Sequence, residues 1–166
     1  MTTNVALSLS RPIRVADLPP EGLDVTVEAT PEERQALARD FKLPAIQALT
    51  GSFHLAGTRS RVRVSGHVDA TISQVCVVTL DPFDSDVRED VEVEFAAPGA
   101  ASAAQVEDPP DEIVEGTVDL GALTAEFLAL GLDPYPRKPG VDFAFEARDE
   151  RPESPFAALE RLKGKE

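Results

Sequence analysis

From Arg61 the chain reads RVRVSGHVDATIS, and apolar residues recur at every second position: Val62, Val64, then His67 or Val68, Ala70 and Ile72. A period of two sets successive side chains on opposite sides of an extended backbone. Such a run is a strand with one face in a core and the other in water. Gly66 interrupts it, and a glycine inside an alternating strand marks a bulge or a close backbone approach. The apolar positions are expected to change face around it. DVEVEFAAPG alternates again, with Val91, Val93 and Phe95 on one side and Glu92 and Glu94 on the other. Earlier, RPIRVADL and LDVTVEA read as short strands joined by the turn PPEG, and AIQALTGSFHLAG opens a sheet region. These segments follow one another too closely for repeated helical crossovers. The expected fold is therefore α+β, a mostly antiparallel sheet or open barrel.

Two helices should cover its apolar face. TPEERQALARDF carries a helix start, with Thr30 as N-cap, Pro31 at the first helical position and Glu33 completing a capping box. Ala36, Leu37 and Phe41 are expected inward. In DLGALTAEFLALGL, Asp119 caps a second helix whose Leu120, Leu123, Phe127, Leu128 and Leu130 make a wide apolar stripe, with Leu123, Phe127 and Leu130 placed against the sheet. Between strand and helix, residues 97 to 112 are small, polar and proline-rich, the least ordered internal segment expected. VDFAFEA reads as a further strand and RDERPE as a charged linker. Ser154 and Pro155 then start a short terminal helix that needs to dock Phe156, Leu159 and Leu162 to persist. With 166 residues the chain holds one good core, so residues 1 to 148 form one domain and 149 to 166 an appendage.

Charge is the second constraint. The formal net charge is −14, and residues 81 to 119 hold thirteen acids against one base, Arg88, a local balance of −12. Such a field repels phosphate and attracts basic partners. Two readings stand: a solvated acidic surface that aids solubility, and a docking surface for a basic protein. Glu92, Glu94, Asp108, Asp111 and Glu112 are the candidate residues of the second. Arg59, Arg61 and Arg63 alternate at a strand start and would project from one face, with Arg11 and Arg14 candidates to lie nearby. Three arginines hold a few phosphates, yet they serve equally to guard an edge strand. With 5% aromatic residues and no Trp, a stacking platform for single-stranded nucleic acid is hard to build.

Little else resembles chemistry. Cys76, in VCVVTLDPF, is the single cysteine; it is read as a buried structural residue whose thiol pKa is raised by valines and by the acids that follow. Zinc needs about four thiolate or imidazole ligands, and Cys76, His54 and His67 are too few, so no metal and no cofactor are expected. Glu92 with Glu94, and Asp84 with Asp86, are paired carboxylates of the kind hydrolases and calcium loops use. DPFDSDVRED, however, lacks the glycine of an EF-type loop. No phosphate loop, dinucleotide fingerprint or serine-hydrolase elbow occurs. No run of about 18 uncharged apolar residues occurs and MTTNVALSLSRPIRV lacks an export pattern, so a cytoplasmic protein that does not enter membranes is expected.

Three segments in order, VSGHVDATISQVCVVTLDPF, EIVEGTVDLGALTAEFLALGLDPYPRKPG and SPFAALERLK, resemble the YceD family of bacterial and plastid proteins, over roughly residues 11 to 162. The resemblance implies a ribosome-biogenesis role in accumulation of large-subunit ribosomal RNA, with no catalytic activity attached. Many members carry a second cysteine three residues after the first and another in the proline-rich segment after the helix. Here those places hold Thr79 and PYPRKPG. The resulting expectation is a non-catalytic assembly factor that binds a basic ribosomal protein or a pre-ribosomal particle through its acidic surface. The alternative is an RNA-binding module built on the arginine strand.

Overall fold

Three long strands in sequence, β3 (Ala45–Thr58), β4 (Arg61–Val75) and β5 (Pro82–Ala96), make an antiparallel meander that carries the fold. The computed structural model describes residues 8–99 and 109–142. In chain order the earlier elements are β1 (Pro12–Arg14), a 3-10 turn over Val15–Asp17, β2 (Leu23–Glu28) and α1 (Pro31–Asp40). After the meander come β6 (Asp111–Glu112), β7 (Thr117–Asp119) and α2 (Leu120–Gly131). The main sheet runs β2-β3-β4-β5-β6, antiparallel except for the parallel β5–β6 contact, and β1 pairs with β7 in a separate two-stranded sheet. This is an open α+β sheet, as expected. The two strands flanking PPEG belong to different sheets, because β2 pairs with β3 and not with β1.

On β4 the inward residues Val62, Val64, Val68, Ala70 and Ile72 are all buried. They share one parity, so the expected change of face at Gly66 does not occur. Gly66 is instead a point of close approach. It lies opposite Phe53 at φ +158°, and an added Cβ would collide with the Ser52 carbonyl. The register shift in the β3–β4 ladder falls between Ile46 and Ala48, where Gln47 is the extra residue. β5 starts at Pro82, well before Asp90. Its first half also alternates, Phe83, Ser85 and Val87 against Asp84, Asp86 and Arg88, but inward Ser85 and the density of acids hide the pattern.

Both helix starts form as read. Thr30 accepts from the Glu33 amide while the Glu33 carboxylate accepts from the Thr30 amide. Leu37 and Ala38 are buried and Phe41 packs against the core more loosely. In α2 the inward line differs from the expected one. Leu123 is buried as expected and Leu120, Thr124 and Leu128 are fully buried, but Phe127 is half-buried and Leu130 is 73% exposed. Thr124 holds an inward position because its hydroxyl donates to the Leu120 carbonyl at 2.7 Å, which removes the penalty for burying it. Gly121 and Ala125 let the helix approach closely, and Gly121 lies against the Ser10–Arg11 backbone. The strand VDFAFEA beyond Asp142, the terminal helix, the 148/149 boundary and most of the 97–112 loop lie outside the described residues; the end of that loop contributes β6.

Candidate functional site

Because β4 and β5 pair without interruption, their water-facing residues stand side by side. The outer face of β5 carries Asp84, Asp86, Arg88, Asp90, Glu92 and Glu94, and all six are exposed. The β4 residues beside them include Arg61, Arg63, Ser65, His67, Asp69, Thr71 and Ser73. Glu92 and Glu94 among the acidic candidates and Arg61 and Arg63 among the arginine candidates, distant in sequence, thus occupy one surface. Arg61 donates to Glu94 at 3.3 Å and Arg63 to Glu92. Arg88 reaches back to Asp69 at 3.1 Å, and His67 lies 3.2 Å from the same carboxylate. The two candidate pairs are about half to two-thirds exposed, with side-chain exposures of 54% and 48% for Arg61 and Glu94 and 66% and 67% for Arg63 and Glu92. Pairs in that setting contribute about 0–1 kcal/mol and exchange readily for other partners.

Arg59 is placed differently from the expectation. It sits in the two-residue turn between β3 and β4, so only Arg61 and Arg63 alternate along the strand. Arg11 is held by Glu33 of α1 at 2.8 Å, and Arg14 pairs with Thr117 in the small sheet; neither belongs to this face. Asp111 joins the site: with Pro109 and Pro110 it walls a shallow groove whose other side is Arg63, Glu92 and Glu94. Glu112 follows it in β6, opposite Ala96 and exposed. Asp108 lies outside the described residues.

Two further groups stand outside the candidate residues of the docking surface, one unseen in the sequence and one, Asp84 with Asp86, seen there only as a carboxylate pair. Glu126 of α2 has its pKa raised by partial burial and then by the charges of Asp111 and Asp119, so this helix carboxylate senses the acid of β6. No spacing rule links positions 111 and 126; the tertiary fold alone does. The other is the first half of β5. Asp84 accepts from Ser73 and Gln47, which hold its carboxyl below the ordinary range, and Asp86 accepts from Thr71. An alternation search that starts at Phe83 finds these residues once acid density is ignored.

Cys76 is fully buried, as read, but its electrostatics are the reverse of the expectation. The Lys138 amide donates to its sulfur at 3.4 Å, and the hydroxyl and amide of Thr79 and the amide of Val78 point at it as well. In order of weight, Lys138 and Thr79 bring the thiol pKa down to about 6 against the opposing effect of burial. The proline-rich segment is anchored to the same turn by the Val77 amide, which donates to the Pro136 carbonyl at 2.9 Å. The places where relatives are expected to carry further cysteines therefore do converge. The residues present do not fit a metal: one thiolate faces amide and hydroxyl donors, and among the described residues no group of three or more His, Cys, Asp or Glu side chains is arranged to hold an ion.

An open, mostly antiparallel sheet, with two helices and a small second sheet built around its core, defines an α+β protein whose far strand face carries a row of charged residues. The family model described as large ribosomal RNA subunit accumulation protein YceD matches residues 64–163, and the chain belongs to the YceD family. That membership supports a role in accumulation of the large-subunit ribosomal RNA, and the family is described by that role and by no reaction. No curated protein and no solved structure matches the chain. No helix among the described residues is long and apolar enough to cross a membrane.

Proposed function

We propose that this chain is a non-catalytic, cytoplasmic ribosome-biogenesis factor whose acidic sheet face binds a basic ribosomal protein or a pre-ribosomal particle containing one. The observation that carries the reading is the pairing of Arg61 with Glu94 and of Arg63 with Glu92. It takes up the two strand arginines and leaves Asp84, Asp86 and Asp90 with no basic partner among the described residues. A face so arranged presents net negative charge to a partner, which favours a lysine- and arginine-rich protein over phosphate. Surface ion pairs of this kind also exchange at little cost, so an incoming cation can take Glu92 or Glu94 from its arginine.

Affinity capture of the full chain from cells at moderate salt, with both protein and RNA identified, tests the reading. Recovery of a small basic ribosomal protein, retained after ribonuclease treatment, is the expected result. Naked RNA retained after protease treatment of all other partners, and lost on Arg61→Ser/Arg63→Ser substitution, would overturn it in favour of direct RNA binding.

A further inference from the structure

Among the described residues, one long edge of β5 is unpaired. In the main sheet β5 pairs with β4 along its whole length, while β6 covers only Phe95 and Ala96 on the opposite side. Ile113 adds one bond to the Ala96 carbonyl. From Pro82 to Glu94, no other described strand or loop hydrogen-bonds to the outward backbone groups. That stretch spans about 40 Å at the usual rise of an extended chain. Exposed edges of that length are templates for another strand, and natural proteins normally shorten, cover or charge them.

The side chains along this edge are selective about what could be added. Any strand laid beside β5 would place its outer-face residues next to Asp84, Asp86, Asp90, Glu92 and Glu94, with Arg88 the one exception. A second copy of this chain would set acid against acid, because its own β5 carries the same row, and like charges directly opposite each other destabilise a strand pair. A lysine or arginine at every second residue meets the opposite field. The inner-face neighbours of the added strand would be Phe83, Ser85, Val87, Glu89, Val91 and Val93, of which only Val91 is buried, so apolar residues fit most of the intervening positions and a polar or basic one fits beside Ser85 and Glu89.

From the open edge and its charge we infer that β5 captures an extended segment of a partner protein, alternately basic and apolar, by strand addition. Main-chain hydrogen bonds to the edge would supply affinity, and the acidic row would select the sequence. The inference rests on the acidic-face reading above and adds the mode of binding and the chemistry of the bound segment.

The probe is a peptide of about ten residues, the length that lies along most of this edge, with lysine and valine alternating. It is compared with a twin N-methylated on every amide, which keeps the charges and side chains but donates no backbone hydrogen bond. Binding to the full chain is measured at two salt concentrations, and amide exchange is followed residue by residue. The expected result is that the twin binds roughly tenfold or more weakly, as loss of two or more backbone bonds requires, and that amides between Pro82 and Glu94 gain protection only with the unmodified peptide. Equal, salt-dependent binding of both peptides would overturn strand addition while leaving the acidic-face reading in place. No binding of either would count against both. Outward β5 amides already protected in the free chain would show the edge occupied by the chain itself, and would also overturn the inference.

Discussion

The backbone amide of Lys138 donates to the sulfur of Cys76 at 3.4 Å, joining two residues 62 positions apart. This contact ties the loop after α2 to the β4–β5 turn, and it has a consequence for stability. In the unfolded chain a cysteine titrates at about 8.5, whereas in the fold the surrounding donors hold Cys76 at about 6. The folded state therefore favours the thiolate. Its contribution is fully present above the unfolded pKa, declines as pH falls below it, and is lost as pH passes down through about 6. Urea unfolding of wild type and Cys76→Ala at about pH 5, 7 and 10, which bracket both pKa values, should show the difference between them growing with pH. A pH-independent difference would show that the sulfur is neutral in the fold.

Asp119 binds the N-terminal segment to α2. Burial pushes its pKa up, but the Ser10 hydroxyl and the amides of Arg11, Ala122 and Gly121 outweigh that and hold it below the ordinary carboxylate range. Replacing it with alanine removes a helix cap and should destabilise by about 1–2 kcal/mol. Asp119→Asn keeps a capping oxygen and should retain much of that stability. Because the carboxylate pKa is depressed by folding, its contribution is present above the unfolded value and lost as pH falls through the folded one. Acid unfolding of wild type should therefore be steeper than that of the asparagine variant.

Leu128 and Leu130 separate the two orientations that α2 could take. Leu128 is fully buried, so Leu128→Ala should cost about 2–5 kcal/mol. Leu130 is 73% exposed, and Leu130→Ala should change stability by only about 0.5 kcal/mol or less. Denaturant midpoints for the two variants decide it, and equal losses would mean that the helix is rotated from the orientation described.

Charge reversal at Asp86, Asp90 and Glu112 addresses the acidic face without touching the core, since all three are exposed. Folding should be retained. Association with a basic ribosomal protein should slow and depend less on salt, because exposed charges act chiefly on association rate and are screened over about 8 Å at physiological ionic strength. Stopped-flow rates at two salt concentrations measure this, and unchanged rates and slopes would reduce the face to a solubility device.

Much of the local structure was legible because it depends on neighbours in sequence. Thr30, Pro31 and Glu33 specify a helix start within four residues, and Asp119 does the same for α2. The period of two in β4 specifies a half-buried strand whatever it pairs with. Periodicity was less informative where function or polarity entered it. The acids of β5 obscured its first half, and Thr124, outside the expected apolar stripe, is buried because its hydroxyl donates to the Leu120 carbonyl.

What the sequence by itself determined was an α+β chain with antiparallel strands, two capped helices, a buried lone cysteine and an excess of acid. Tertiary structure decided which of these groups meet. Strand register set Arg61 and Arg63 beside Glu94 and Glu92, turning two candidate sites into one ion-paired face. Chain folding over 62 residues brought amide donors to Cys76 and inverted the thiol's expected pKa shift. The physical reason is range: caps and periodicity act within a few residues, whereas electrostatics acts through space, between groups whose distances only the folded chain sets.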